Sequence, residues 1–329
     1  MGGWVDLYMC RKTIALMLFV GLIFWSCDDS KGTEDKPFEN PIIVLDDVDS
    51  SPVAGEEDGL TIIQEEEWST PVKLQADDEG AEDGTYITRD GRYVLFYHVP
   101  VWGHGDADPQ IYYSERPFLT RQVHPITSAD FNAEAGPYIS EANDIYYTKT
   151  FIVLEPEPHE TTPRKIVMND GSTIIDMGTG EHEGNPHYCD EWDELYANIE
   201  YESGDTDIAV FKDGETTILP EPINLPGNLE LQPFLTDDCQ TMYFTSSRGK
   251  LISIFPLQVY KSQRLGEFEW GEPVLFLSYP QPEGILGGVG EFSMTRDGNQ
   301  MVFLELTITG EGEDLFATNK MYYAEKINN

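Results

Sequence analysis

Four glutamates stand at matching places along the chain. Glu82, Glu134, Glu183 and Glu230 each lie six residues ahead of a short turn-like motif, and three of them open a Glu-x-x-Pro segment, ending at Pro137, Pro186 and Pro233. A fifth copy of the motif has Val289 at that place and Glu291 two residues later. Carboxylates that converge in one concavity raise one another's pKa or recruit a cation. The set is therefore a candidate ligand-binding site for a divalent cation, a cationic group or a network of sugar hydroxyls. The competing reading, favoured by the recurrence, is that each Glu accepts backbone hydrogen bonds where one repeat meets the next. In a catalytic version Glu134, Glu183 and Glu230 supply acid and base for glycoside hydrolysis, with carboxyl groups about 5 to 5.5 Å apart for retention or roughly 6.5 to 9.5 Å for inversion.

Other side chains able to do chemistry fall between these repeats. His104, Asp106 and Asp108 have the types of metal ligands but lack the remaining spacing of a calcium loop, and Trp102 beside them is a stacking surface for a sugar or a cover for a channel. Further inserted loops hold His159, and Glu311 with Glu313 and Asp314. His182 and His187 flank Glu183, a pair read first as solvated and second as metal-binding. No Gly-x-Ser-x-Gly elbow, His-Glu-x-x-His, phosphate-cradling loop or Cys-x-x-Cys pair occurs. No cofactor is expected, with a divalent cation such as Ca2+ as the alternative.

The elements that must position these residues repeat five times. The motif appears as Thr88-Arg-Asp-Gly-Arg-Tyr-Val-Leu-Phe96, Ser140-Glu-Ala-Asn-Asp-Ile-Tyr-Tyr147, Cys189-Asp-Glu-Trp-Asp-Glu-Leu-Tyr196, Thr236-Asp-Asp-Cys-Gln-Thr-Met-Tyr-Phe244 and Thr295-Arg-Asp-Gly-Asn-Gln-Met-Val-Phe303. Each copy reads as strand, tight turn and aromatic-ended strand, the pattern of a β-hairpin. Third strands follow over Gln110 to Glu115, Arg164 to Met168, Asp207 to Lys212, Leu257 to Ser262 and Lys320 to Glu325, and fourth strands over Glu215 to Leu219 and Glu269 to Phe276. Four antiparallel strands in roughly 50 residues make a propeller blade, so the expected fold is all-β: a five-bladed β-propeller, with a six-bladed ring as the alternative.

The fifth unit runs out after three strands. Glu66-Glu67-Trp68-Ser-Thr-Pro-Val-Lys-Leu74 has nearly the spacing of Glu269-Trp270-Gly-Glu-Pro-Val274 and is predicted to supply the missing outer strand, closing the ring. The glycines from 284 to 290 read as a flexible crossing between blades. The loops between second and third strands are expected on the same face as the glutamates, and the hairpin turns on the opposite face.

At these motifs the chain resembles the WD40-like propeller repeats of TolB-type proteins and bacterial envelope lipoproteins, whose signature Pro-x-φ-Ser/Thr-x-Asp-Gly-x-x-φ-x-Phe is matched best over residues 233–244 and departs at Cys239, where the family has Gly. Units two and three lack the Asp-Gly pair. The resemblance covers about residues 65 to 326 and implies a binding platform more than an activity.

The amino terminus is read as an address. Arg11 and Lys12 precede an apolar run from Thr13 to Trp25, too short to span a membrane, followed by Ser26-Cys27. This resembles a lipoprotein signal over residues 1–26, with Cys27 the lipidated first residue of the mature chain. Residues 27–64 read as an acidic tether, with 11 acids and two lysines between positions 28 and 60, and residues 65–329 as the propeller. With 60 acidic against 20 basic side chains and a net charge of −40, a nucleic-acid partner is excluded. The expected partners are a membrane, reached through the lipid anchor, and a protein or glycan ligand; the expected location is the bacterial cell envelope, in the periplasm or at the outer-membrane surface. Of the cysteines left, Cys189 and Cys239 either pair in an oxidising compartment or stay as separate buried thiols, the reading preferred because their positions in the repeat differ by three.

Overall fold

The computed structural model describes residues 40–75, 81–99, 110–126, 134–149, 163–249, 255–309 and 316–327, and among them the chain is all-β with no helix. Three strands precede the repeats: β1 (Gly55–Glu56), β2 (Ile62–Ile63) and β3 (Val72–Leu74). Blade 1 is β4 (Ala81–Ile87), β5 (Tyr93–Val99), β6 (Gln110–Glu115) and β7 (Gln122–Val123). Blade 2 is β8 (Glu134–Ile139), β9 (Ile145–Lys149), β10 (Lys165–Met168) and β11 (Thr173–Ile175). Blade 3 is β12 (His182–Cys189), β13 (Glu194–Glu200), β14 (Thr206–Lys212) and β15 (Glu215–Ile218). Blade 4 is β16 (Glu230–Leu235), β17 (Thr241–Ser246), β18 (Gln258–Gly266) and β20 (Val274–Ser278), with β19 (Glu269–Trp270) paired to the far end of β18. Blade 5 is β21 (Leu286–Met294), β22 (Gln300–Thr309), β23 (Phe316–Glu325) and then β3. Five blades, not six, close the ring.

Closure uses the strand expected for it. Tyr322 pairs with Lys73 and Tyr323 with Val72, and Trp68 bridges Lys326. The likeness between the two Glu-Trp segments reflects one shared task. Trp270 faces Arg264 across the ladder and lies 4.9 Å under its guanidinium, while Lys326 Nζ sits 5.4 Å from the Trp68 ring, so each Trp buries its blade's corner beneath a cation.

The acidic stretch before the propeller is, from Asn40 onward, a belt and not a solvated tether. Ile42, 1% exposed, enters the core and Val44 packs against it, while Ile43 and Leu45 stay exposed. Its backbone donors find acceptors on the hairpin turns, Val44 N–H bonding Asn143 Oδ1 at 3.0 Å and Leu45 N–H bonding Asp90 Oδ2 at 2.9 Å. The belt then adds β1 to the outside of β3 and β2 to the outside of β20, covering two sheet edges that would otherwise be open. Between these strands Glu305 Oε2 accepts from Leu60 N–H, Thr61 N–H and the Thr61 hydroxyl at 2.8 to 2.9 Å. Residues 28–39 of the expected tether, and Cys27, lie outside the described residues.

Two further expectations change. The glycines before 291 do not form a flexible crossing: from Leu286 on they belong to β21, and they are small because another backbone comes close. A Cβ on Gly288 would stand 2.6 Å from the Leu257 Cβ, where Leu257 and Gly288 form a parallel bridge. Cys189 and Cys239 form a disulfide, with Cα atoms 6.0 Å apart. Their offset in the repeat disappears in space because the turn folds back: Cys239 N–H donates to Thr236 O at 2.7 Å, which brings residue 239 beside the position equivalent to 189. Cys239 also takes φ 52°, the left-handed conformation for which the repeat signature uses Gly.

Candidate functional site

Each inner strand breaks its ladder at one place. The register slips between Asp83 and Tyr86, Ala135 and Tyr138, Gly184 and His187, Leu231 and Phe234, and Gly290 and Ser293. In every slip one residue is left-handed: Gly84 (φ 62°), Gly136 (57°), Asn185 (49°), Gln232 (52°) and Glu291 (50°). These are β-bulges, which re-aim the following side chains. Glycine is required where the ring is tightest, since a Cβ on Gly84 would lie 2.6 Å from Gly136 N and one on Gly136 would lie 2.5 Å from Asn185 Oδ1. Gln232 and Glu291 hold the same conformation without being Gly or Asn, a strain tolerated only where surroundings fix it.

The repeated glutamates lie just before the bulges and join blade to blade. At their positions the backbone is stitched to the third strand of the preceding blade: Glu183 N–H to Arg164 O at 3.1 Å, Glu230 N–H to Thr206 Oγ1 at 3.0 Å, Val289 N–H to Leu257 O at 3.0 Å. Glu82, Glu183 and Glu230 are fully buried. Glu82 Oε1 is 2.8 Å from His98 Nδ1, and Glu82 Oε2 is 3.9 Å from Lys320 Nζ. Glu183 Oε1 accepts from Lys165 Nζ at 2.9 Å and from Thr179 Oγ1 at 3.2 Å. Glu230 Oε1 accepts from Ser246 Oγ at 2.9 Å and lies 3.5 Å from Arg248. Burial lifts the Glu230 carboxyl to about 7, against the pull of Ser246 and Arg248. Glu134 opens β8 opposite Lys149, and its side chain lies outside the described residues. Glu82, Glu183 and Glu230 are thus buried among partners and not open at the mouth, and those partners are mainly side chains where the competing reading expected backbone donors.

Glu291 differs. At the fifth bulge it enters the channel wall, 8% exposed; its Oε1 accepts from Gln232 Nε2 at 2.7 Å and its Oε2 from Thr85 N–H at 3.0 Å. Burial, the Asp83 charge and a hydrogen bond to Asp83 push its pKa well up. Burial also raises Asp83, while the hydrogen bond from Glu291 and the Arg164 charge pull it down. Burial thus favours the neutral form of both carboxyls, most strongly at Glu291. Asp83 and Gln232 were not singled out from the sequence, although the residues beside each repeated position were the place to look.

Beneath the mouth the channel is filled. Tyr86, Tyr138, His187, Phe234 and Phe292, one from each blade, stack round the axis at centroid distances of 5.3, 4.2, 4.8 and 5.6 Å in turn. Tyr86 OH donates to Ile139 O and Tyr138 OH to Tyr188 O, each on the next blade. Burial drives the His187 pKa well down, so this His is a neutral ring of the plug, and His182, half-buried, accepts from Arg164 N–H at 3.1 Å. The two are neither a solvated pair nor a shared metal site. Among the described residues no group of three or more His, Cys, Asp or Glu could hold a metal ion. Trp102, His104, Asp106, Asp108, His159, Glu311, Glu313 and Asp314 lie outside the described residues.

At the turn end, the second residue of each hairpin turn points to the axis. Arg89 of blade 1, 5% exposed, is 3.2 Å from Glu141 of blade 2, 3.4 Å from Asp190 of blade 3 and 3.0 Å from Asp237 of blade 4. Blade 5 contributes Arg296, whose N–H bonds Arg89 O at 3.0 Å and whose guanidinium is 3.6 Å from Asp46 of the belt.

No protein-family model and no curated protein matches the sequence. Among solved structures, the chain is similar to TolB from Acinetobacter baumannii at 14% identity, over 75% of this chain and 55% of that one, with a TM-score of 0.40. It is also similar to an endo-arabinase from Bacteroides thetaiotaomicron at 13% identity, over 78% and 97%, TM-score 0.45. A third similar structure is the GH43 protein BlXynB from Bacillus licheniformis, at 14% identity over 73% and 55%, TM-score 0.44. The chain thus spans about half the length of the TolB and BlXynB chains.

Glu230 makes stability depend on pH with a definite sign. Its folded pKa of about 7 exceeds the ordinary carboxylate value of 4.5, so its contribution is complete below about 4.5 and is lost as pH rises through 7. Between pH 4.5 and 8 the wild type should lose roughly 3 kcal/mol more stability than Glu230→Gln. Urea unfolding of both across this range checks it; parallel pH profiles contradict it.

Proposed function

We propose that this protein is a lipid-anchored propeller of the bacterial cell envelope that binds a protein or glycan ligand at its channel mouth without catalysing a reaction on it. The observation that carries this reading is the commitment of Glu82, Glu183 and Glu230 to buried partners in the blade junctions. A general acid or base must reach the substrate, and these fully buried carboxylates are engaged by side chains of their own and the preceding blade. What faces the mouth is a set of hydrogen-bonding side chains fixed by their neighbours, a preorganised surface suited to recognition. The anchor rests on the basic, apolar and Ser-Cys27 sequence at the amino terminus. Twelve residues separate Cys27 from Asn40, where the belt begins along the hairpin turns. A chain of that length spans at most about 45 Å, which directs the turn face to the lipid and the mouth away from it.

The full chain, incubated with panels of glycans and with envelope proteins, should retain one class saturably and return glycans at their original length; shortened glycan products, or no saturable retention of either class, contradict the reading. In cells, Cys27→Ala should abolish palmitate labelling, and persistent labelling refutes the anchor.

A further inference from the structure

Two cavities meet at Glu291 and Gln232. One, about 50 Å³, is the channel mouth, with Thr85, Asn185 and Glu291 on its wall above Tyr138 and Phe234. The other, about 40 Å³, is a slot between blades 4 and 5 walled by Leu231, Leu257, Leu304 and Leu306, with Asp83 and Asn319 at its polar end. Each has room for a few waters or one slender chain. The slot exists because β21 presents glycine here: a Cβ on Gly290 would sit 2.8 Å from Thr245 Oγ1 and 3.0 Å from Gln232 Oε1.

Two polar atoms are left open beside the carboxyls, a hydroxyl that can accept or donate and an amide oxygen that accepts. Thr85, 6% exposed, has a buried hydroxyl with no hydrogen-bond partner among the described residues, and so does the Asn319 Oδ1. Between them stands the carboxyl pair of Asp83 and Glu291. The amide of Gln232 is held in place, its Nε2 donating to Glu291 and its Oε1 accepting from Thr245 Oγ1 and Glu291 N–H at 2.7 and 3.0 Å. A ligand that fits donates hydrogen bonds to these oxygens and to the carboxyl pair, carries positive charge and brings an apolar stem. An ammonium has three donors and no acceptor, and a lysine stem buries its methylenes along apolar walls while its head stays with polar groups. Sugar hydroxyls bring neither positive charge for the carboxyl pair nor an apolar stem for the slot, and an anion would meet the carboxylate.

Resting on the binding-platform reading above, we propose that the mouth receives a primary ammonium on an aliphatic stem, the lysine side chain of a protein partner, with its stem in the leucine slot and its charge at Asp83 and Glu291. The net charge of −40 favours encounter with a basic partner. A cation seated there favours the charged form of the buried carboxyl pair, so binding releases protons and affinity rises with pH. The charged groups that face the pair are Arg164, acting on Asp83, and, on the other side of the β4 opening, Glu82 with His98 and Lys320.

The test is isothermal titration of the full chain with n-pentylammonium, n-pentanol and calcium chloride as probes. Pentylammonium should bind at one site and release protons, tightening about threefold or more from pH 6 to 8.5, and Asp83→Asn and Glu291→Gln should each weaken it about tenfold or more. Leu306→Ala, which leaves the charges in place, should weaken pentylammonium with little change in proton release. Unaltered amine binding in both carboxyl variants would assign it to surface acids and overturn the proposal. So would pentanol binding as tightly, or calcium displacing the amine at equal concentration. Should a variant fail to fold, lysine against norleucine at one position of a tripeptide reads the same preference in the wild type, and equal binding overturns it. If a captured protein or glycan ligand binds Glu291→Gln and wild type alike, the ammonium site falls while the platform reading stands; if nothing is captured, the platform reading itself falls.

Discussion

Arg89 holds the narrow end of the molecule together. Three acids, Glu141, Asp190 and Asp237, come to the axis from three different blades, and without a cation between them the turns would repel one another. Burial raises the pKa of both Asp190 and Asp237, and the Arg89 charge is what pulls each back down. A guanidinium suits this place because its planar fork presents donors in several directions at once and stays charged when buried. Arg89 also reaches Tyr138 OH at 3.3 Å, so the ionic layer and the aromatic layer above it are one structure. The disulfide between Cys189 and Cys239 joins the turns of the same two neighbouring blades that present Asp190 and Asp237.

From that layer upward each level of the channel has a different chemistry imposed on the same repeated backbone. Charges pin the turns, aromatic rings fill the middle, left-handed residues form the bulges, and buried glutamates stand just before them, Glu82 and Glu183 reaching a lysine of the preceding blade. Symmetry breaks only where the repeats differ in residue type. Blade 5 has Val289 where the others have Glu, and across the ladder from it stands Glu305, which turns its carboxylate to the belt. The carboxylate freed for the channel is Glu291, at the bulge itself. Function in a repeat protein is expected at such departures, since what every blade carries equally is needed to make a blade.

Much of the fold was legible in the sequence. Five turn motifs at nearly even spacing, the aromatic-ended second strands and the matching Trp68 and Trp270 segments specified blade number, strand order and closure, because hairpins leave period-two patterns that survive in single sequences. The site was less legible. Strict alternation aims Glu82, Glu183 and Glu230 and their successors at fixed faces, but the bulge after each one resets the alternation, and nothing in Glu-x-x-Pro marks the left-handed residue except where it is Gly or Asn. Arg89 and the three acids were present in the aligned turns, one residue after each start, as Arg, Glu, Asp, Asp and Arg. Their convergence follows from closure of the ring and not from any local pattern. The belt was misread because acidity argued for solvation, while Ile42 and a few backbone donors were enough to dock it.

The account stands most directly on Arg89. Replacing it by methionine keeps the volume of the stem and removes the charge, leaving Asp190 and Asp237 without their cation. Urea unfolding at pH 7 should show Arg89→Met less stable than the wild type by about 3 to 5 kcal/mol, with the deficit shrinking toward pH 4 as the acids take up protons. A deficit below about 1 kcal/mol that does not change with pH would contradict the central place given to this ion cluster.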